Sequence, residues 1–379
     1  RKEMIRITNL KLPFDHNEDD LQELILKTLK IDAEEIVSWR ILKRSLDARK
    51  GKSLSRVYSV VVDVVGEEII LKKGGDNPRI SRAPDFTYQI PVIKLTPENI
   101  KPVVFVTGPA GLFAGLILAE AGLEPIMVER GKPVKLRARD TFKFWEEGSL
   151  DPESNVQFGE GGAGTFSDGK LQTRVKDKKT RDRKILEELV KAGAPGEILY
   201  ENKPHIGTAN LMGIVKNIRH KIEGLGGSYQ FNTRMDDLIV KEDQLLGIRL
   251  SNGAEIFTEN LVLAIGHSAR DTYEMLQRQG VQLAPKPFSV GFRIEHPQNM
   301  INKNQYGEYS EHPELGAADY QLAYHSIRGR TVYSFCMCPG GTVIAAASEP
   351  GHLVTNGMSQ YKRDGNNANS AIVAEVYPR

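Results

Sequence analysis

A chain of 379 residues, 40% hydrophobic and 26% charged, has the composition of a globular protein long enough for two or three domains. A net charge of +2 favours neither a nucleic-acid nor an acidic partner, and two cysteines exclude a disulfide scaffold and point to a reducing compartment. No apolar run reaches the ~18–20 residues of a membrane span and RKEMIRITNL lacks a signal-peptide core, so the expectation is a cytoplasmic protein with no membrane partner, acting on a small-molecule substrate.

Residues 1–97 are expected to form a small α+β N-terminal domain. MIRITNLKL alternates as a strand, and DHNEDDLQELILKTLKI sets acidic residues ahead of leucines at helical spacing. VSWRILKRSLDAR and LSRVYSVVVDVVG read as strands around a turn holding Arg40, Lys43, Arg44, Arg49, Lys50, Lys52 and Arg56. Without interleaved aromatics or an RNA-binding signature, these cations are expected to form a solvated charged hairpin. LKKGGDNPRISRAPDF, polar and rich in Gly and Pro, reads as a loop or linker.

From Lys101 the pattern becomes strand–helix–strand: KPVVFV, AGLFAGLILAEAG and EPIMVER. Such a βαβ unit implies a parallel sheet. Its first turn, VFVTGPAG, falls one residue short of the Gly-x-Gly-x-x-Gly dinucleotide fingerprint. Val106 stands where the first glycine belongs, while Gly108 and Gly111 keep the last two positions. One Gly inserted between Val106 and Thr107 would restore Gly-Thr-Gly-Pro-Ala-Gly. In that fingerprint the glycines allow a sharp turn and close approach of a pyrophosphate, which meets the free N–H groups and dipole of the helix N-terminus. A β-branched residue resists such a turn. The strand is therefore expected to end near Val106 and the helix to begin near Pro109, with a missing residue, a break or a distorted turn between Val106 and Gly108. Glu129 ends the second strand, where an acidic side chain accepts hydrogen bonds from a ribose diol.

NVQFGEGGAGTFSDGKLQTRVKD comes next, with Gly159, Gly161, Gly162, Gly164 and Gly169 close together. Such a loop brings successive backbone N–H groups against a phosphate or a flat ring. Residues 227–266 read as short strands, an inserted β-meander whose last apolar segment rejoins the parallel sheet. Further strands are expected around 288–294 and 331–336. Residues 98–285 thus read as one domain and 286–379 as a β-rich substrate or cap domain.

The motifs GPAGLFAGLILAEAG, VERGKPV, DPESNVQFGEGGAGTFSDGKL, KPHIGT, LAIGHSARDT, KPFSVGFRIEHP, LGAADY, YSFCMCPGG and VTNGMS span nearly all of 101–379. On them the chain resembles the FAD-dependent oxidoreductases with a glutathione-reductase-type flavin fold, and more closely the bacterial family labelled NAD(FAD)-utilizing dehydrogenases. The resemblance implies an α/β fold: a Rossmann-like FAD-binding domain with an inserted β-rich substrate domain. It implies non-covalent FAD, with the pyrophosphate on Gly108, Pro109, Ala110 and Gly111 and the ribose on Glu129 beside Arg130. Gly161, Gly162, Gly164 and Thr165 would close over the cofactor and backbone near Met235 would meet the adenine. Ala264 and Gly266 belong to the segment that closes the domain, with Ile265 where the family pattern has Thr. Lys170, flanking Gly169 with Asp168, would lie by flavin N1/O2 and stabilise the reduced anion.

The chain departs from the family in its first fingerprint glycine and ends before the C-terminal Gly-Asp-type segment, so missing sequence is expected. NAD(P)H as electron donor is implied by the resemblance, although no second dinucleotide fingerprint occurs. Catalytic residues are not identified. Cys336 and Cys338 read as buried thiols, since a ring through Cys-x-Cys is strained and two cysteines cannot complete a zinc site. No metal is expected. His267, Arg270 and Asp271 could line the active face or cap a turn, and His205 and His296 have no partner visible in sequence. The function expected is that of an FAD-dependent oxidoreductase, a dehydrogenase, of unknown substrate. The alternative is a flavin-binding protein that modifies or recognises RNA through its N-terminal domain.

Overall fold

In the computed structural model the chain is mixed α/β. Residues 4–378 are described, apart from 74–76, 95–99, 174, 176 and 178. The sequence-based boundary at 97/98 lies outside the described residues.

The N-terminal unit holds β1 (Ile5–Pro13), α1 (Glu18–Leu29), β2 (Ile36–Asp47), β3 (Ser55–Val64), α2 (Glu67–Lys73) and β4 (Ile80–Arg82), with antiparallel strands in the order β2-β3-β1-β4. Helix α1 starts where Asp20 accepts the Asn17 amide at 2.9 Å and buries Leu21, Ile25 and Leu29 against Ile5, Ile7, Val60 and Val62. Strand β4 corrects the reading of 71–86 as loop throughout. Ile80 pairs with Ile7, so the polar stretch adds an edge strand.

The hairpin of β2 and β3 is not simply solvated, a second correction. Arg44 exchanges backbone hydrogen bonds with Tyr200 (2.7 Å) and Asn202 (2.9 Å), pairs with Glu201, and lies 5.1 Å over the Tyr200 ring. Arg56 pairs with Glu314 at 2.9 Å, and the Phe14 ring meets Tyr309 and His312 edge-on.

The central unit comprises β5 (Val103–Phe105), α3 (Pro109–Glu120), β6 (Ile126–Val128), α4 (Val134–Glu147), α5 (Arg181–Lys191), α6 (Thr208–Gly224) and β7 (Ser228–Gln230). The chain continues through β8 (Met235–Lys241), β9 (Gln244–Leu250), β10 (Glu255–Phe257), β11 (Leu261–Leu263) and α7 (Arg270–Arg278). Parallel strands run β11-β5-β6-β7, which counted from β5 is the 3-2-1-4 order of dinucleotide folds. Alternation divides the core. Val104 and Met127 face Leu112, Leu116, Ile214, Ile218 and Ile222 of α3 and α6. Val103, Phe105 and Val128 face Met235, Ile248 and Leu250 of the meander and Met275 and Leu276 of α7. The sheet is thus covered on both sides, as parallel sheets require.

The C-terminal residues add β12 (Phe288–Pro297), α8 (Gln298–Tyr306), β13 (Ala323–His325), β14 (Thr331–Cys338), the hairpin β15 (Thr342–Ala345) with β16 (Thr355–Met358), and β17 (Asn367–Val376). The main antiparallel sheet runs β12-β17-β14-β13. On edge strand β12, alternate residues Phe288, Val290, Phe292 and Ile294 leave 65, 53, 84 and 45% of their surface in water. Among the described residues no helix is long and apolar enough to cross a membrane.

Candidate functional site

The site is built on the corner between β5 and α3. The strand ends at Phe105 and the helix begins at Pro109, as the spacing predicts. Between them the chain is continuous but distorted. Val106 takes a left-handed φ of 72°, an uncommon state for a β-branched residue, while its side chain is buried. With the first glycine position filled by valine, the corner keeps its sharpness through backbone strain. Pro109, at the first helical position, needs no amide partner, and both Pro109 and Ala110 are exposed. Gly111 must be glycine here: a Cβ would run into the Val106 carbonyl oxygen and come within 3.3 Å of the Ala264 Cβ.

The glycine-rich stretch lies on this corner. The Gly161 amide donates to the Thr107 carbonyl at 2.9 Å. A Cβ on Gly162 would sit 2.8 Å from the Gly108 Cα, and one on Gly164 3.2 Å from the Pro109 ring. The loop is held by a residue that sequence reasoning missed. Arg137 of α4, fully buried, donates to the carbonyls of Asn155 (2.8 Å), Val156 (2.8 Å), Glu160 (2.7 Å) and Gly162 (2.8 Å). Burial pushes its pKa down to about 10, against the charges of Glu129 and Glu160, so it remains a cation at neutral pH. An arginine inside an amphipathic helix carries no sequence signal of such a role.

Glu129 is completely buried at the end of β6. One carboxylate oxygen accepts from the Thr107 amide (2.7 Å) and hydroxyl (2.8 Å), the other from the amides of Gly131 (2.9 Å) and Gly159 (3.0 Å). It therefore ties the strained corner to the glycine loop, and both its oxygens are engaged within the chain. Arg130 is also spent internally, on Glu153 (2.9 Å) and Asp271 (3.0 Å), with its guanidinium 4.0 Å over Phe158. Beyond them lies a charged cleft of about 290 Å³ lined by Arg130, Lys132, Glu153, Asn232 and Arg234.

The other residues singled out in the sequence are spread more widely. Gly108, Pro109, Gly111, Gly161, Gly162, Gly164 and Ala264 meet at the corner, and the Ala264 amide donates to the Phe105 carbonyl at 3.0 Å. Thr165 is buried, its hydroxyl 3.4 Å from Arg137. Met235 is buried under the sheet and Gly266 is exposed after β11 with φ 65°. Lys170 pairs with Asp168 (2.8 Å) and lies 3.3 Å from the Cys338 sulfur. The His205 Nε2–H donates to the Tyr361 carbonyl at 2.7 Å, and burial together with the Arg363 charge lowers the His205 pKa. Asp271 accepts the Thr272 amide at 2.9 Å at the start of its own helix, and although burial works the other way, Arg130 holds its carboxyl below the usual range. Among the described residues no group of His, Cys, Asp and Glu could hold a metal ion.

The two ends of the corner differ in what they leave open. Pro109 and Ala110 are exposed at the start of α3, whose first amides have no partner within the helix, while Gly162 packs directly on Gly108 and Gly164 on the Pro109 ring. A ribose could reach Glu129 only by displacing Thr107 or the two glycine amides.

Residues 287–379 match the family model described as FAD-dependent protein, C-terminal domain-like, and residues 4–63 match a domain of unknown function. An uncharacterized protein of Clostridium beijerinckii is 51% identical over 381 residues, covering 99% of this chain and 70% of that protein. Among solved structures, the glycerol-3-phosphate dehydrogenase from Bacillus halodurans complexed with FAD is 10% identical, with a TM-score of 0.35 over 75% of this chain and 49% of that one. The L-proline dehydrogenase from P. horikoshii is 14% identical, with a TM-score of 0.33 over 75% of this chain and 72% of that one.

Proposed function

We propose that the chain, of one family with the Clostridium beijerinckii protein, is an FAD-dependent oxidoreductase holding its cofactor non-covalently, a reading supported by the match of residues 287–379 to an FAD-dependent protein C-terminal domain. The observation that carries the reading is the contact of the 106–111 corner with the 159–164 glycines at the exposed start of α3. Flavin, when bound, supplies two-electron transfer between a donor and an acceptor. The chain's own residues bind and orient. Backbone of Gly108–Gly111, with the Gly162 and Gly164 loop that packs on it, would hold the pyrophosphate. Arg137 fixes the loop that covers it. Glu129, now engaged by Thr107, Gly131 and Gly159, would be the carboxylate for a ribose, with the charged cleft at Lys132 and Arg234 beside it. The chain's activity would be that of a dehydrogenase on a small molecule. The sequence carries no second dinucleotide fingerprint to support NAD(P)H as the donor.

Heat denaturation of the purified protein should release flavin absorbing near ~450 nm, and a colourless supernatant would overturn the reading. Inserting Gly between Val106 and Thr107 gives a sharper test. The added residue relaxes the corner and frees Glu129, so FAD affinity measured by titration of the apoprotein should rise at least about tenfold, or ~1.4 kcal/mol. Unchanged affinity would remove Glu129 from the site. The RNA-directed alternative finds less support: Arg44, Arg49 and Arg56 are already paired with Glu201, Asp47 and Glu314.

A further inference from the structure

The two cysteines of the chain lie two residues apart at the end of β14. In a regular strand such residues share a face with their side chains side by side. Here the ladder slips: Phe335 pairs with Ala371 but Cys338 with Asn369, leaving a bulge at 336–337, and Cys336 takes a left-handed φ of 48°. The two sulfurs are 4.0 Å apart.

Their surroundings are cationic and unequal. The Lys170 ammonium is 3.3 Å from the Cys338 sulfur. The Arg293 guanidinium donates to the Cys336 carbonyl at 3.1 Å and to Asn369 at 2.6 Å, and its buried Nε–H has no partner among the described residues. Cys338 is fully buried. Cys336 is only half-buried and opens, with Tyr333, Phe335, Gln321 and Lys203, onto a cleft of about 1070 Å³ lined by the N-terminal, central and C-terminal units. The hydrogen bond from Cys338 lowers the Cys336 pKa to about 5, with help from Lys170 and Arg293 against burial. The same hydrogen bond and burial push Cys338 up. The Cys336 thiol is thus held below the usual thiol range, and it is the sulfur of the pair that faces the cleft.

We propose that Cys336 and Cys338 form a thiol–disulfide exchange site for small disulfides, entered from the cleft between the units. The Cys336 thiolate attacks one sulfur of the disulfide. The S–S bond breaks, a thiolate leaves, and a mixed disulfide forms on Cys336. Cys338 gives its proton to solvent and attacks the Cys336 sulfur, releasing the second thiol and closing a Cys336–Cys338 disulfide. Two electrons pass from the protein to the small disulfide, which becomes two thiols. A disulfide across one residue is strained and so readily reopened by a small dithiol, which resets the site. The site is independent of the flavin reading, since it uses no cofactor.

The test uses the full chain, reduced and freed of reductant, with the aromatic disulfide 5,5′-dithiobis(2-nitrobenzoate), following released thiolate by absorbance and the protein by intact mass. Two thiolates should be released per chain, the product should have lost two hydrogens with no adduct, and dithiothreitol should restore it. The first phase should slow by less than about threefold from pH 8 to pH 6, where an ordinary thiol of pKa ~8.5 slows by roughly 80-fold. Cys338→Ser should release one thiolate and keep the adduct; Cys336→Ser should lose the fast phase. Two stable adducts on the wild-type chain, or a first phase with the ordinary pH dependence, would overturn the proposal without recourse to any variant.

Discussion

Arg137 shows how one side chain can set the shape of a loop. Its guanidinium supplies donors to four backbone carbonyls between 155 and 162, and those carbonyls bring the glycines down onto the Val106 corner. Removing the cation leaves four buried acceptors without a donor. Arg137→Met is expected to cost about 3–5 kcal/mol in urea unfolding, the scale for breaking a buried charged network. Arg137→Lys, with one ammonium in place of a planar fork, should recover only part of that. At Val106 sequence and structure agree on where the strand stops and on a distorted corner, which the glycine pattern makes legible. They part at Thr107. No pattern could reveal that its amide and hydroxyl both turn to Glu129, because a carboxylate at the end of a strand reads the same whether it awaits a ribose or binds its own chain.

Between elements, the clearest tie is the clip from the segment after the glycine loop to the segment after β16. Asp168 accepts from Arg363 at 2.5 Å and from Lys170 at 2.8 Å, and the Ser359 hydroxyl also points at it. Burial alone would raise the Asp168 pKa, but Arg363 and Lys170 outweigh it and hold it at about 2, below the ordinary 3.8. A carboxylate with a depressed native pKa stabilises the fold above its unfolded pKa and loses that contribution as pH falls through the native one. Between pH 5 and pH 2 the wild type should therefore lose about 2 kcal/mol more than Asp168→Asn, read from paired urea midpoints. The βαβ unit and the meander are legible in the sequence because their apolar runs and turn residues are local. Helices α4, α5 and α6 and strands β15–β17 are not. In α6 the polar residues Asn217, Arg219, His220 and Lys221 interrupt the apolar stripe, and its partner faces on α3 and β6 lie about a hundred residues away. Strand β17 gains its register from β12 and β14, and NANSAIVAEV on its own has no alternation to announce that.

For the molecule as a whole, the N-terminal unit is docked as well as tethered: β2 borrows the Tyr200–Asn202 backbone and Phe14 nests between Tyr309 and His312. In the sequence the basic turn reads as open surface because its acidic partners Glu201 and Glu314 lie far along the chain. The row on β12 has a further consequence, in the test tube. Four large apolar side chains stand in water on an edge strand of a chain whose net charge is only +2. Little long-range repulsion keeps two such faces apart, and an edge strand offers unpaired backbone groups besides. The protein should therefore be a poor colloid. Sulfate, which is excluded from protein surfaces, should salt it out early, and light scattering should show a negative second virial coefficient. Phe292→Lys, at the most exposed position of the row, should move the precipitation point to higher ammonium sulfate without changing the unfolding midpoint.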